Sequence, residues 1–406
     1  MKYKIIIANI IFFLGIIPYF KILNIPFETQ PYALIFASIF SLFLLYEDKF
    51  KIPKPLKIIL LITTYAFLTS LFLFIKNDID IIITMQSLAG YVSVLVFSFI
   101  GYKTFKYIKP KYFIAGISVW AIGALAQVVW GAQSISSFVT IIKTGGLRGL
   151  TSFAPEPSFY AVVCLSLLLI NELFYLNKKY GIFLYFTLFI SILLQIIFSY
   201  SGIGMMLLIL FAGGKSLEIL FIKQDKKNKI LATIIMSMIV ISLSFFFNDK
   251  FLGEKRGGVV LEQAVKSPIT LVKKDYSVSN RLMNPVVSIY GGIIETKGLG
   301  FGVGSKKKEI VPEWISKIKG KVIKFGGKTE GGLTQPIYEL GFIGVVYLFV
   351  IIWIVLSSII NNKRMRSFLI ISAVSLFIPK FIWGSLSIPL FGFILGVHLY
   401  YIYNDE

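Results

Sequence analysis

Charge is what this chain has least of. Only 15% of its 406 residues are charged, against about a quarter in a soluble domain, while 56% are hydrophobic. Mean hydropathy is +0.81. That balance excludes a soluble core and points to a polytopic membrane protein embedded in a lipid bilayer. Histidine occurs once, at His398 in the last apolar run, so histidine catalysis and zinc chemistry lack their residues. Cysteine also occurs once, at Cys164 within another apolar run. No intramolecular disulfide and no cysteine metal cluster can form from it. No metal and no cofactor is expected. Arginine is scarce as well: five stand against thirty-six lysines.

The net charge of +21 first suggests a nucleic-acid partner. Its placement argues against one, because the lysines cluster in short connections between apolar runs, as topology-setting charge does. A spanning helix needs about 20 mostly apolar residues. Twelve candidates fit, at 4–23, 31–46, 57–75, 80–101, 111–131, 157–176, 181–199, 202–222, 230–247, 336–360, 367–384 and 387–403. Residues 1–20 begin like a signal peptide, but no small-residue cleavage site follows, so the first run is taken as a span. The connections 47–56, 102–110, 177–180, 223–229 and 361–366 carry the lysines. The positive-inside rule then places them, and both termini, in the cytoplasm. The expected organisation is nine helices in 1–247 with an outer loop at 132–156, a large outer segment at 248–335, and three helices in 336–406.

Three of the five arginines, Arg148, Arg256 and Arg281, fall in those outer segments, against the topological bias. They are either ordinary loop charges or a planar fork for phosphate oxygens. Glu156 sits between two prolines at the lip of the sixth run, eight residues after Arg148. Residues 309–324 have the amphipathic pattern of a helix lying in the membrane interface, or equally of one covering a protein groove. The run GLGFGVG at 298–304 invites a dinucleotide reading, yet it lacks the strand–turn–helix setting on the cytoplasmic side that such a motif needs. Gln127 and Gln195 read as helix–helix hydrogen bonds. Asn171, Glu172 and Lys215 read as interfacial, near cytoplasmic helix ends.

Three stretches together resemble the O-antigen polymerase and ligase superfamily of bacterial membrane enzymes. The first is Arg148 to Ala161 with its Glu156-Pro157-Ser158 turn. The second is Ser279-Asn280-Arg281-Leu282 followed by Lys297-Gly298-Leu299-Gly300-Phe301-Gly302. The third is Glu330 to Gly344, EGGLTQPIYELGFIG, similar to the family's His-Asn-x-x-Leu…Glu-x-Gly-x-x-Gly segment. On that spacing the ligase histidine falls on Glu330, which favours a polymerase over a ligase. The resemblance covers roughly residues 140 to 350.

What the resemblance implies is an all-α, GT-C-like enzyme that joins undecaprenyl-pyrophosphate-linked repeat units, as donor and acceptor, by inverting displacement on the outer membrane face. A chain-length regulator is an implied partner. Departure of a lipid pyrophosphate builds negative charge, which Arg148, Arg281 and Arg256 would neutralise. The attacking hydroxyl needs a base, and without histidine a carboxylate is the candidate. Glu330 and Glu156 stand for that role. Glu156 is equally a partner that orients Arg148, and Glu330 equally a solvated loop charge. Ser158, Tyr160, Tyr200 and Asn280 are expected to line the sugar site. A ligase, or a lipid-linked oligosaccharide flippase, remains the alternative; no internal repeat favours the flippase.

Overall fold

The computed structural model describes residues 2–21, 28–75, 81–140, 142, 149–221, 230, 233–241, 263, 266–267, 285–305, 332–362, 365–382 and 384–404. Every regular element among them is helical. Besides a helical run at 233–241 and short 3-10 turns, these are, in order, α1 (Lys2–Ile16), α2 (Tyr32–Glu47), α3 (Lys54–Ile75), α4 (Ile81–Thr104), α5 (Pro110–Trp130), α6 (Pro157–Leu176), α7 (Ile182–Phe198), α8 (Gly202–Phe221), α9 (Pro285–Glu295), α10 (Gln335–Leu340), α11 (Phe342–Asn361), α12 (Arg366–Ser372), α13 (Ile378–Ile382) and α14 (Pro389–Tyr403). Five of them, α3, α4, α5, α6 and α11, are long and apolar enough to cross a membrane. The rows of bare apolar side chains on α5, Ile122, Leu125, Val128 and Val129, are what lipid-facing helices carry. Prolines at the first helical positions of α5, α6 and α14 fix where those helices begin, since the missing N–H is an orphan there anyway.

Helix α6 is the centre. Apolar on all sides, it is buried along nearly its whole length, as such a helix must be. The closest-packed pair is α4 with α14. A side chain at Gly396 would run into the Ser98 carbonyl, and one at Gly392 would lie 2.9 Å from Cβ of Phe97. Small residues let these two backbones approach.

Cross-links define two ends of the bundle. At one, Lys4 pairs with Glu47, and Lys103 with Asp48 at 2.6 Å. Lys179 donates there to the carbonyls of Phe105 (3.0 Å) and Ile108 (2.7 Å) and covers the rings of Phe105 and Phe174. Burial in this connection lowers its ammonium from the usual lysine range to about 8. The opposite end carries Gln30, whose Nε2 donates to Thr140 Oγ1 at 3.0 Å, together with Leu150, Ser387, Gln335 and Glu339.

Twelve spans were expected and, among the described residues, five helices are long and apolar enough to cross; the first expected span, 4–23, is helical only to Ile16, and two later runs are interrupted. The predicted run 336–360 is broken at Gly341, where φ is +59° and the chain turns from α10 into α11. The run 367–384 passes through a π turn at Ala373–Phe377. Pro379 follows that turn. It offers no N–H to the carbonyl of Ser375 and would collide with it in a regular helix, so the wider register relieves both.

Candidate functional site

The segment after Arg148 does not stay outside the bundle. Gln127 of α5 pins it down: its Oε1 accepts from the backbone amides of Thr151 (2.9 Å) and Ser152 (2.8 Å), and its Nε2 donates to Thr151 Oγ1 (2.9 Å) and the Ala132 carbonyl (3.1 Å). Ser152, at φ +47°, donates to the Trp120 carbonyl at 2.7 Å. Leu150 N–H donates to the Phe198 carbonyl at 2.9 Å. Thr151 to Ala154 are buried. Gln127 thus holds a loop, not a neighbouring helix, which corrects its reading as a helix–helix bond. Gln195 does bond across helices, accepting from Tyr160 OH at 2.8 Å.

This loop delivers Glu156 in extended conformation to the head of α6, half-buried, with Ser158 Oγ donating to its Oε2 at 3.4 Å. Phe159 meets Tyr19 edge-on at 5.9 Å, placing the first turn of α6 against the segment that joins α1 to α2. Tyr160 faces the packed interior, stacked on Trp120. Tyr200 forms the tight α7–α8 turn at φ +44° and is half-buried. Arg148, Arg256, Arg281, Asn280 and Glu330 lie outside the described residues, as does the amphipathic stretch 309–324.

The glycine run and the third motif stretch are bonded to each other. Phe301 and Gly302 donate to the carbonyls of Tyr338 (2.9 Å) and Glu339 (2.8 Å), and Phe342 donates back to the Gly298 carbonyl (2.9 Å). Gly298, Gly300, Gly302 and Gly304 all have φ between +77° and +91°. The amides a phosphate would need at Phe301 and Gly302 are spent on protein carbonyls, so this turn is a clasp. Inside it the Glu339 carboxylate is buried. It accepts from Tyr91 OH (2.8 Å), Gln335 Nε2 (3.0 Å) and Gly304 N–H (3.4 Å). Gln335 also donates to Ser87 Oγ at 3.1 Å. Glu339 therefore ties α4, α10 and the clasp. Its presence in the motif was visible in sequence; its burial was not.

Lys380 is the residue sequence reasoning missed. It lies on α13, 3% exposed, with Nζ donating to the Ser385 carbonyl at 2.7 Å and standing 5.3 Å from the Phe391 ring centroid. The Ser385 and Ser387 hydroxyls bond at 2.6 Å, Ser387 reaches Thr29 Oγ1 at 3.3 Å, and Ser93 donates to the Ser387 carbonyl. Thr334, at the mouth of α10, donates to the Phe381 carbonyl at 3.4 Å. A lysine inside an apolar run is a sequence signal for function.

Elsewhere, Glu172 and Lys215 are buried and paired within the bundle. Lys215 Nζ sits between Glu172 Oε1 (2.6 Å) and Glu218 Oε2 (3.0 Å), Tyr185 OH donates to Glu172 at 2.7 Å, and all four are buried. Asn171 is buried too, donating to the Tyr185 carbonyl. Packing between α6, α7 and α8 supplies partners for these groups inside the protein. His398 is held on both nitrogens, by Ser358 at 2.6 Å and Ser372 at 2.8 Å, deep between α11, α12 and α14. Among the described residues no three of His, Cys, Asp and Glu come together as a metal site. The chain matches no protein-family model, and no curated protein matches it.

Proposed function

We propose that this protein is a membrane glycosyltransferase that polymerises undecaprenyl-pyrophosphate-linked oligosaccharide repeat units into O-antigen or capsular polysaccharide. The work is done at the outer face of the bacterial cytoplasmic membrane, with about twelve spans in a GT-C-like arrangement and both termini inside. The observation that supports the reading is the clasp: the glycine turn of the second motif stretch and the Glu339 segment of the third are bonded to each other. They lie at the end of the bundle opposite the lysine connections, where Glu156 also stands.

The chemistry follows from the groups involved. An acceptor hydroxyl forms a bond to the anomeric carbon of the donor, and the bond from that carbon to the lipid pyrophosphate breaks. The hydroxyl proton passes to Glu330 or Glu156. The departing charge is met by Arg148, Arg281 and Arg256 without a metal. Incubation of the purified protein with defined undecaprenyl-pyrophosphate repeat units, resolved on a gel, tests this. A ladder of lengthened products in detergent is the expected result. Transfer of a single finished chain to a lipid acceptor means a ligase. No product in detergent, with movement of substrate across a sealed vesicle, means a flippase.

A further inference from the structure

We infer that Lys380 is a further anion-binding residue of this site, holding a phosphate oxygen of the lipid pyrophosphate beside the Gly384–Ile388 turn. The inference rests on the proposed function for the identity of the ligand, and on geometry for the site. An ammonium within a membrane bundle is costly unless an anion balances it. Lys215 has two carboxylates within 3.0 Å. Lys380 has one neutral carbonyl and the face of a phenyl ring. No carboxylate among the described residues pairs with it. A Lys ammonium has three donors, and the Ser385 carbonyl takes one.

The surroundings suit an oxyanion. Ser385 and Ser387 present hydroxyls on the same turn, and Thr29 adds a third. Gly384, at φ +108°, lets the Lys380 ammonium lie directly against the turn, where a Cβ would come within 2.9 Å of Nζ. The backbone is built to put the lysine there. Pro379 and the π turn before it rotate the end of the span relative to a regular helix, and P-K in that order presents Lys380 to the turn and not to lipid. The end of the bundle is that of Glu156 and the clasp, since Thr334 of the α10 approach bonds the neighbouring Phe381.

The test uses the full chain in detergent and measures binding of farnesyl pyrophosphate, farnesol and inorganic pyrophosphate by calorimetry. Lys380→Met is expected to weaken farnesyl pyrophosphate by about tenfold or more, the scale of one charge-assisted hydrogen bond. Farnesol binding should not change, and Lys380→Arg should retain affinity. A folded Lys380→Met protein with wild-type pyrophosphate affinity overturns the inference, as does an equal loss for farnesol, which marks a purely structural lysine. Should Lys380→Met fail to fold, Ser387→Ala decides: a severalfold loss for both pyrophosphates supports the site, and unchanged affinity overturns it. Wild-type protein that binds neither pyrophosphate also overturns it. Wild-type pyrophosphate affinity in a Lys380→Met protein that still makes a ladder would remove this inference and leave the proposed function. Lys380-dependent pyrophosphate binding in a protein that makes no ladder would do the reverse.

Discussion

At the scale of single residues, the division of labour among the charged groups can be measured. Arg148→Lys keeps a positive charge but loses the planar fork that meets two phosphate oxygens at once. Elongation should fall about tenfold or more, the scale of a charged hydrogen bond, while insertion is unchanged; full activity would make Arg148 a point charge or a bystander. A carboxylate base fails as its amide, because the amide cannot take a proton. Glu330→Gln should bind lipid-linked substrate yet stop elongation, with a loss of about 10² to 10⁴. Glu156→Gln is the comparison: an orienting partner, when lost, weakens pyrophosphate binding as well as turnover. Normal elongation by Glu330→Gln, with an inert but substrate-binding Glu156→Gln, would exchange the two roles. Legibility at this scale was uneven. Glu156 announced itself by its prolines. Lys380 did not, because eight apolar or neutral neighbours hide one lysine in a hydropathy window, and its significance lies in the missing counter-charge, which only contacts reveal. The pairing of Glu172 was hidden as well, since position along a helix says nothing about which face is packed.

At the scale of elements, helix boundaries were largely readable and helix interruptions were not. Pro157–Leu176 was anticipated to the residue, because Pro157 marks the start and the apolar run sets the length. The break at Gly341 was invisible, because glycine within an apolar run is also common in an unbroken span. Its consequence is testable against Gly131, the residue after α5. Both have positive φ, +59° and +87°, but a side chain at Gly131 meets nothing within 4 Å, whereas at Gly341 it meets the Gly298 carbonyl. Gly131→Ala should cost about 1 kcal/mol from backbone strain alone. Gly341→Ala should cost more, about 2–4 kcal/mol, and expose the clasp to limited proteolysis. Equal melting shifts for the two variants would show that the clasp contributes nothing to the fold.

At the scale of the whole molecule, the lysine asymmetry sets the expected orientation. Reporters inserted at Lys226 and Lys306 should read inside and outside; both on one side would remove the outer-face site. Composition and charge spacing made the membrane class plain. They carried no information on which helices touch, because every span in lipid is apolar and the partner choice is made by small residues and buried polar groups. Those groups join distant parts of the chain: Ser93 bonds a carbonyl 294 residues later, and Gln335 and Glu339 bond Ser87 and Tyr91 of α4 from 248 residues away. During synthesis, then, α4 enters the bilayer long before α10 and α14 exist. Its serines and Tyr91 must wait unpaired in lipid, or in the keeping of an insertase, until α10 and α14 leave the ribosome. Chains truncated before α14 would be recognised by membrane quality-control proteases as unfinished, and reporters belong inside the full-length chain, not at the end of a shortened one.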